Sequence, residues 1–199
     1  MKDELHLEIK HLGNASSDIR KEVTNIFVEA YYSSLRSISK DFAQLNRLFY
    51  EAFLLDHFYG AFIGNELVGF FALTDSKERS FRFNKRTFIG EFGYLKGTIL
   101  YNILKKELEH EIELQETGYN IESVATKKEF QGKGIGKKMM EYAIENNNYL
   151  ELDVVDTNVN AFKLYKKLGF TIFKEKPVKG FKTLVEYNKK IFMKYKKYK

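Results

Sequence analysis

Residues 121–140 read IESVATKKEFQGKGIGKKMM, and the reading of the chain works outward from them. The first part alternates branched and small residues before a charged turn, the pattern of a strand coming to its end. After Phe130, glycines take every second position at Gly132, Gly134 and Gly136, and then Met139, Met140, Ala143 and Ile144 recur at helical spacing. A strand therefore feeds a glycine turn that opens a helix. The first N–H groups of a helix have no partner within it and carry partial positive charge. Glycines let a ligand reach them without meeting a side chain. The stretch predicts an anion seat, suited above all to phosphates.

Known phosphate seats differ in their glycine offsets. A P-loop needs Gly, four residues, Gly, Lys and Ser or Thr, and the fifth place after Gly132 holds Lys137. The dinucleotide pattern GxGxxG lacks its third glycine, because that place holds Lys137 or Met139, although Asp153 could serve as its acidic ribose partner. What remains is QGKGIG, residues 131–136, and it resembles the pyrophosphate loop of the GNAT family of acyl-CoA N-acyltransferases. That loop reads Gln or Arg, two residues, Gly, one residue, Gly or Ala, which Gln131, Gly134 and Gly136 match. A ligand-free glycine-rich helix entry is the plain alternative for six residues alone. A second motif agrees with the first: residues 158–170, NVNAFKLYKKLGF, resemble the other recurrent GNAT signature through Asn158, Ala161, Leu164, Tyr165, Gly169 and Phe170.

The resemblance implies a mixed-sheet α/β (α+β) fold of the GNAT type, one domain over residues 1–199, and an N-acetyltransferase using acetyl-CoA by direct transfer in a ternary complex. Main-chain N–H groups around Gln131, Gly132, Lys133, Gly134, Gly136 and Lys137 would hold the pyrophosphate, with the two lysines adding charge. The pantetheine arm would lie along Val124, Ala125 and Thr126, and Asn158 would hydrogen-bond it. Tyr165 matches the tyrosine that relatives place beside the coenzyme sulfur, and a phenol of pKa near 10 can protonate a thiolate. Packing of its helix on the sheet is the rival reading. Glu122 lies on the central strand, where relatives often carry the general base. Asn120 competes for that position, and a surface or pairing carboxylate is the alternative.

The composition bounds the remaining classes. At 199 residues, with 44% hydrophobic and 16% aromatic residues and no Trp, the chain has the makings of one packed core. Absence of cysteine removes disulfides, thiolate metal sites and a cysteine nucleophile. MKDELHLEIK is too charged for a signal peptide, and no run reaches the roughly 20 apolar residues of a spanning helix. A cytoplasmic protein without membrane contact is expected. The histidines give no metal spacing: His6 and His11 fall on opposite faces of a strand, and His57 and His110 lack a helical partner. Of the net charge of +6, the excess lies late in the chain, where residues 163–199 hold thirteen lysines against Glu175 and Glu186. A solvated surface is the favoured reading of this tail, a nucleic-acid module the lesser one.

Along the chain, Leu5, Leu7 and Ile9 predict a first strand ending near Gly13, and cap-type residues 14–18 open a helix with Ile19, Val23, Ile26, Phe27 and Ala30 on one face. Residues 39–57 predict a second helix through Phe42, Leu45, Phe49 and Phe53. In GNAT relatives this region walls the acceptor site, so Tyr31, Tyr32 and Phe42 are candidate substrate contacts, with packing the favoured role. Residues 59–73 read as a hairpin around Gly64-Asn65. Residues 94–113 read as an extra helix before the central strand, with Leu95, Ile99, Ile103, Leu104 and Leu108 as its apolar stripe. Residues 149–155 form the next strand, with Leu150, Leu152 and Val154 on one face, and two further strands are placed at 170–174 and 191–193. The expected acceptor is a small-molecule amine, a peptide N-terminus or a lysine. The lysines of residues 174–187 lean the reading toward an acceptor bearing a carboxylate or phosphate. A homodimer, and a non-catalytic acyl-CoA sensor, stay open.

Overall fold

The computed structural model describes residues 6–178 and 187–197. Strands Leu7–His11 (β1), Phe58–Ile63 (β2) and Glu66–Thr74 (β3) form an antiparallel meander, and Ile63 faces Glu66 across the two-residue turn expected at Gly64-Asn65. β3 pairs with Tyr119–Thr126 (β4), which runs parallel to Tyr149–Val155 (β5). Thr171–Pro177 (β6) and Lys189–Lys196 (β7) form a closing hairpin with β7 set beside β5. The mixed sheet therefore runs β1-β2-β3-β4-β5-β7-β6.

Each face of the sheet carries its own core because strand side chains alternate. On one face, Ile121 of β4 and Leu150, Leu152 and Val154 of β5 pack with Met139, Met140 and Ala143 of helix Ile135–Asn146 (α6) and Tyr165 of helix Val159–Lys167 (α7). The other face is covered by Ser17–Ala30 (α1), the short Tyr32–Leu35 (α2) and Phe42–Tyr50 (α3). Here the phenylalanine-rich composition is spent: Phe27 meets Phe49 and Phe53 with ring centroids 5.0 and 5.3 Å apart, and Phe53 meets Phe58 at 5.4 Å. Tilted and edge-on rings of this kind add to the stabilisation from burial.

Capping explains where the helices begin. Ser16 accepts from the Ile19 N–H, and Asp41 accepts from the N–H groups of Ala43 and Gln44, so α3 starts at Phe42 and not at residue 39. It also ends earlier than expected. Beyond it the backbone turns to bond residues 80–82, with Leu54 N–H donating to Ser80 and Arg82 N–H to Ala52, and the 3-10 turn Leu55–His57 leads into β2. Phe53 stays buried although it has left the helix.

The insertion before β4 is two helices, Lys85–Phe92 (α4) and Tyr94–Leu108 (α5), separated at Gly93. The expected stripe of α5 needs correction. Leu95, Ile99 and Ile103 are exposed, whereas Leu104 is buried and Leu100, Tyr101 and Leu108 pack against the core. Gly97 is the reason: a Cβ there would lie 2.4 Å from the Phe88 carbonyl oxygen, so α5 is turned to lay its smallest residue on α4. Two lysines of the basic tail, read as solvated, are likewise engaged. Lys194 and Lys196 lie within β7 and bond Gln115 and Glu116, at 2.9 Å and as close as 2.6 Å. Of the lysine-rich stretch 174–187, residues 174–177 belong to β6, and Gly180 falls outside the described residues. Among the described residues, no helix is long and apolar enough to cross a membrane.

Candidate active site

β4 and β5 pair at three positions only, Tyr119–Leu150, Asn120–Glu151 and Ile121–Leu152. On the other side, β4 carries an irregularity against β3: Ala72 faces Glu122 and Phe70 faces Ala125, so Ser123 and Val124 together oppose Phe71. Ser123 takes a left-handed φ of 53°, uncommon for a residue with a side chain. An extra residue bends its strand and increases the local twist. β4 consequently leaves β5 from Glu122 onward, and the edge bearing Val124, Ala125 and Thr126 is not covered by β5.

Where β4 ends, the chain makes a 3-10 turn over Lys128–Phe130 and reaches the glycine segment. The Gln131 side chain donates to the Thr126 carbonyl at 3.3 Å, closing this turn. Gly132 and Gly134 have φ of 74° and 84°, and a Cβ at either would meet nothing within 4 Å. Backbone conformation, and not crowding, asks for glycine at both places. Gly134 is the N-cap of α6 and offers no side-chain cap, so the first-turn amides from Ile135 to Lys137 are left for an outside acceptor. Lys137 is paired with Glu141 at 2.8 Å, and Lys133 sits over the Phe130 ring.

The second motif builds α7. Asn158 caps it, its carboxamide oxygen accepting from the Ala161 N–H at 3.1 Å. Tyr165 follows two turns on, 6% exposed between sheet and helix, while Phe170 is buried below it. Among the described residues no protein group hydrogen-bonds the Tyr165 hydroxyl. Burial, reinforced by the charge of Asp153, pushes its pKa up to about 12. From the opposite face comes Tyr31, at the junction of α1 and α2, whose hydroxyl donates to the Val124 carbonyl at 3.1 Å. Its pKa is also raised, first by burial and then by Tyr165, Asp153 and Glu122. Two phenols thus reach the opening between β4 and β5 from the two sides of the sheet.

Glu122 stands at the vertex in a saturated setting. Its oxygens accept from Thr74 at 2.7 Å, Ser80 at 2.7 Å, Arg79 Nε at 2.5 Å and, more weakly, Asn120 at 3.3 Å. Arg79 also donates to the His110 carbonyl at 2.9 Å, tying the end of the insertion to the vertex. Thr74, Arg79 and Ser80 were not legible as site residues, since the β3–β4 register brings Thr74, and the segment after β3 brings Arg79 and Ser80, to Glu122. Asp153 shares its strand face with Glu151, so the sequence does not single it out; the structure does, since Glu151 is buried and Asp153 is exposed. Among the described residues, no group of three or more His, Asp or Glu side chains is placed to hold a metal ion.

A divergent pair of parallel strands above an uncapped glycine-led helix is an arrangement for laying an extended, anion-tailed molecule into a sheet. The class this defines is that of the GNAT acyltransferases. The model described as the Acetyltransferase (GNAT) family matches residues 20–170, and the chain belongs to that family. No match was found among curated protein sequences. Solved structures with the same fold include an N-acetyltransferase from Staphylococcus aureus Mu50, 18% identical with a TM-score of 0.60 over 94% of this chain and 100% of that one. A Bacillus subtilis acetyltransferase in complex with CoA is 17% identical, with a TM-score of 0.53 over 98% and 100% of the two chains. An IAA acetyltransferase from Bacillus cereus ATCC 14579 is 18% identical, with a TM-score of 0.52 over 96% and 99%.

Proposed function

We propose that this protein, as one domain, moves an acetyl group from acetyl-CoA to a primary amine by direct transfer within a ternary complex. The observation that carries the reading is the uncapped N-terminus of α6 following the freed edge of β4, with the Tyr165 hydroxyl, which has no hydrogen-bond partner among the described residues, near Asp153 and Tyr31. The pyrophosphate sits on the amides between Gln131 and Lys137, where Lys133 and Lys137 add charge. The pantetheine arm extends along Val124, Ala125 and Thr126, and the strand end gives an N–H to the thioester oxygen as charge develops on it. Asn158 has its oxygen in the cap, so its NH2 is the group available to the coenzyme arm.

Tyr165 donates to the departing sulfur. Because its raised pKa makes it a poor acid alone, the phenol passes on a proton that the attacking nitrogen replaces in the same step. Glu122, with four donors on its oxygens, holds the vertex in shape and is the weaker candidate for the base. Engagement of Lys194 and Lys196 with Gln115 and Glu116 argues against a free basic strip for nucleic acid. The test combines thermal unfolding with acetyl-CoA and a thiol-release screen over amines and peptide N-termini. Stabilisation together with amine-dependent thiol release is expected. Stabilisation without release from any acceptor would instead mark a coenzyme sensor.

A further inference from the structure

Glu122 and Asp153 are the first residues past the last paired positions of β4 and β5, and both lie on the sheet face away from Ile121 and Leu152. They flank the vertex of the opening as two carboxylates, and their surroundings are opposite. Glu122 is 8% exposed and accepts four hydrogen bonds. Asp153 has a side chain 37% exposed, and among the described residues its one polar contact is the Lys190 ammonium at 3.8 Å. Lys190 is turned mainly to Glu107 at the end of α5, with which it forms an ion pair. The groups around Asp153 are therefore Lys190 of β7, Glu107 of α5, Tyr187 before β7, Tyr31 after α1, Tyr165 of α7 and Glu122 of β4.

We propose that Asp153 binds the acceptor as an ammonium ion and takes its first proton, so that the preferred substrate is a cationic amine without a carboxylate of its own. The inference rests on the transfer reading above. Among the described residues, one carboxylate at the vertex has lone pairs without a donor and reaches solvent, and the other has neither. Lys190 is already shared by Asp153 and Glu107, Arg79 is taken by Glu122, and no further cation faces Asp153 among the described residues, so an anionic acceptor would meet three carboxylates against two engaged cations.

The step balances as follows. The ammonium gives one proton to Asp153, and its lone pair forms the C–N bond at the thioester carbon. A second proton leaves that nitrogen for Tyr165 as the Tyr165 proton passes to sulfur and the C–S bond breaks. The products are the acetamide and the free thiol, and Asp153 releases its proton to solvent.

The test measures thiol release from acetyl-CoA with tyramine, agmatine and spermidine as cationic acceptors and L-glutamate as the anionic one, for wild type, Asp153→Asn and Asp153→Glu. Wild type should use at least one cationic amine and not glutamate. Asp153→Asn should lose about 100-fold in kcat/KM, with partial recovery in Asp153→Glu, while acetyl-CoA raises the Tm of all three proteins equally. Full activity in Asp153→Asn, or preference for glutamate, would overturn the assignment while leaving acetyl transfer standing. So would thiol release with none of the amines while acetyl-CoA still stabilises wild type. Loss of that stabilisation in wild type would instead overturn the donor site and the proposal with it.

Discussion

Tyr165 shows how one side chain can be read at two levels. Among the described residues its hydroxyl has no protein partner, so Tyr165→Phe should change stability at neutral pH by less than about 0.5 kcal/mol. Turnover should fall by about 100-fold with acetyl-CoA affinity retained, as steady-state kinetics and a binding titration would show. The raised pKa adds an alkaline signature. Below pH 10, folded and unfolded chains both keep the phenol proton; between pH 10 and about 12 only the unfolded chain releases it, so stability declines through that window. Urea unfolding at pH 8 and pH 11.5 should therefore show a smaller alkaline loss in Tyr165→Phe, by about 2 kcal/mol. Glu122 gives the converse case. Glu122→Gln leaves the half-buried Arg79 without its carboxylate and should cost about 3 kcal/mol in unfolding free energy, while kcat of the folded enzyme drops less than about tenfold. A stable variant with a 100-fold loss of kcat would make Glu122 the base after all. Tyr165 was legible from its motif, but the state of Glu122 was not, because three of its four donors lie more than 40 residues earlier in the chain.

At the scale of elements, helix position was readable and helix orientation was not. The apolar residues of α5 lie all around it, so periodicity offered Leu95, Ile99 and Ile103 as readily as Leu100, Leu104 and Leu108. Close contact at Gly97 decides between the two faces, and that contact depends on α4, a short helix that buries only Phe88 and so shows no apolar stripe in the sequence. Leu104→Ala should accordingly destabilise by about 2–4 kcal/mol, and Leu95→Ala by less than about 0.5 kcal/mol, in denaturant unfolding. Equal effects would mean that α5 packs the other way round. The strand elements behave differently. The alternation places β5 at its observed limits, whereas β6 and β7 run further than expected, as lysines read as solvated find Glu175 on the neighbouring strand and Gln115 and Glu116 in the segment before β4.

For the whole molecule, the proposed donor site is a gap in the sheet, and filling it should stabilise the fold. Acetyl-CoA at 100 times its dissociation constant should add about 2.7 kcal/mol, a rise of about 5–10 °C in Tm for a chain of this size. Differential scanning calorimetry reads this directly, and an unchanged Tm at millimolar acetyl-CoA would contradict a seat at α6. Sequence by itself determined the glycine segment, the capped helix carrying Tyr165, and the alternation of the central strands, since each is set by neighbours within a few residues. It thereby determined the family. Tertiary structure alone decided that β4 parts from β5 at Glu122, that Tyr31 and Tyr165 arrive from opposite faces, and that of two vertex carboxylates one is saturated and the other open. These depend on register and packing between segments far apart in the chain, and such contacts leave no local periodicity for a sequence to display.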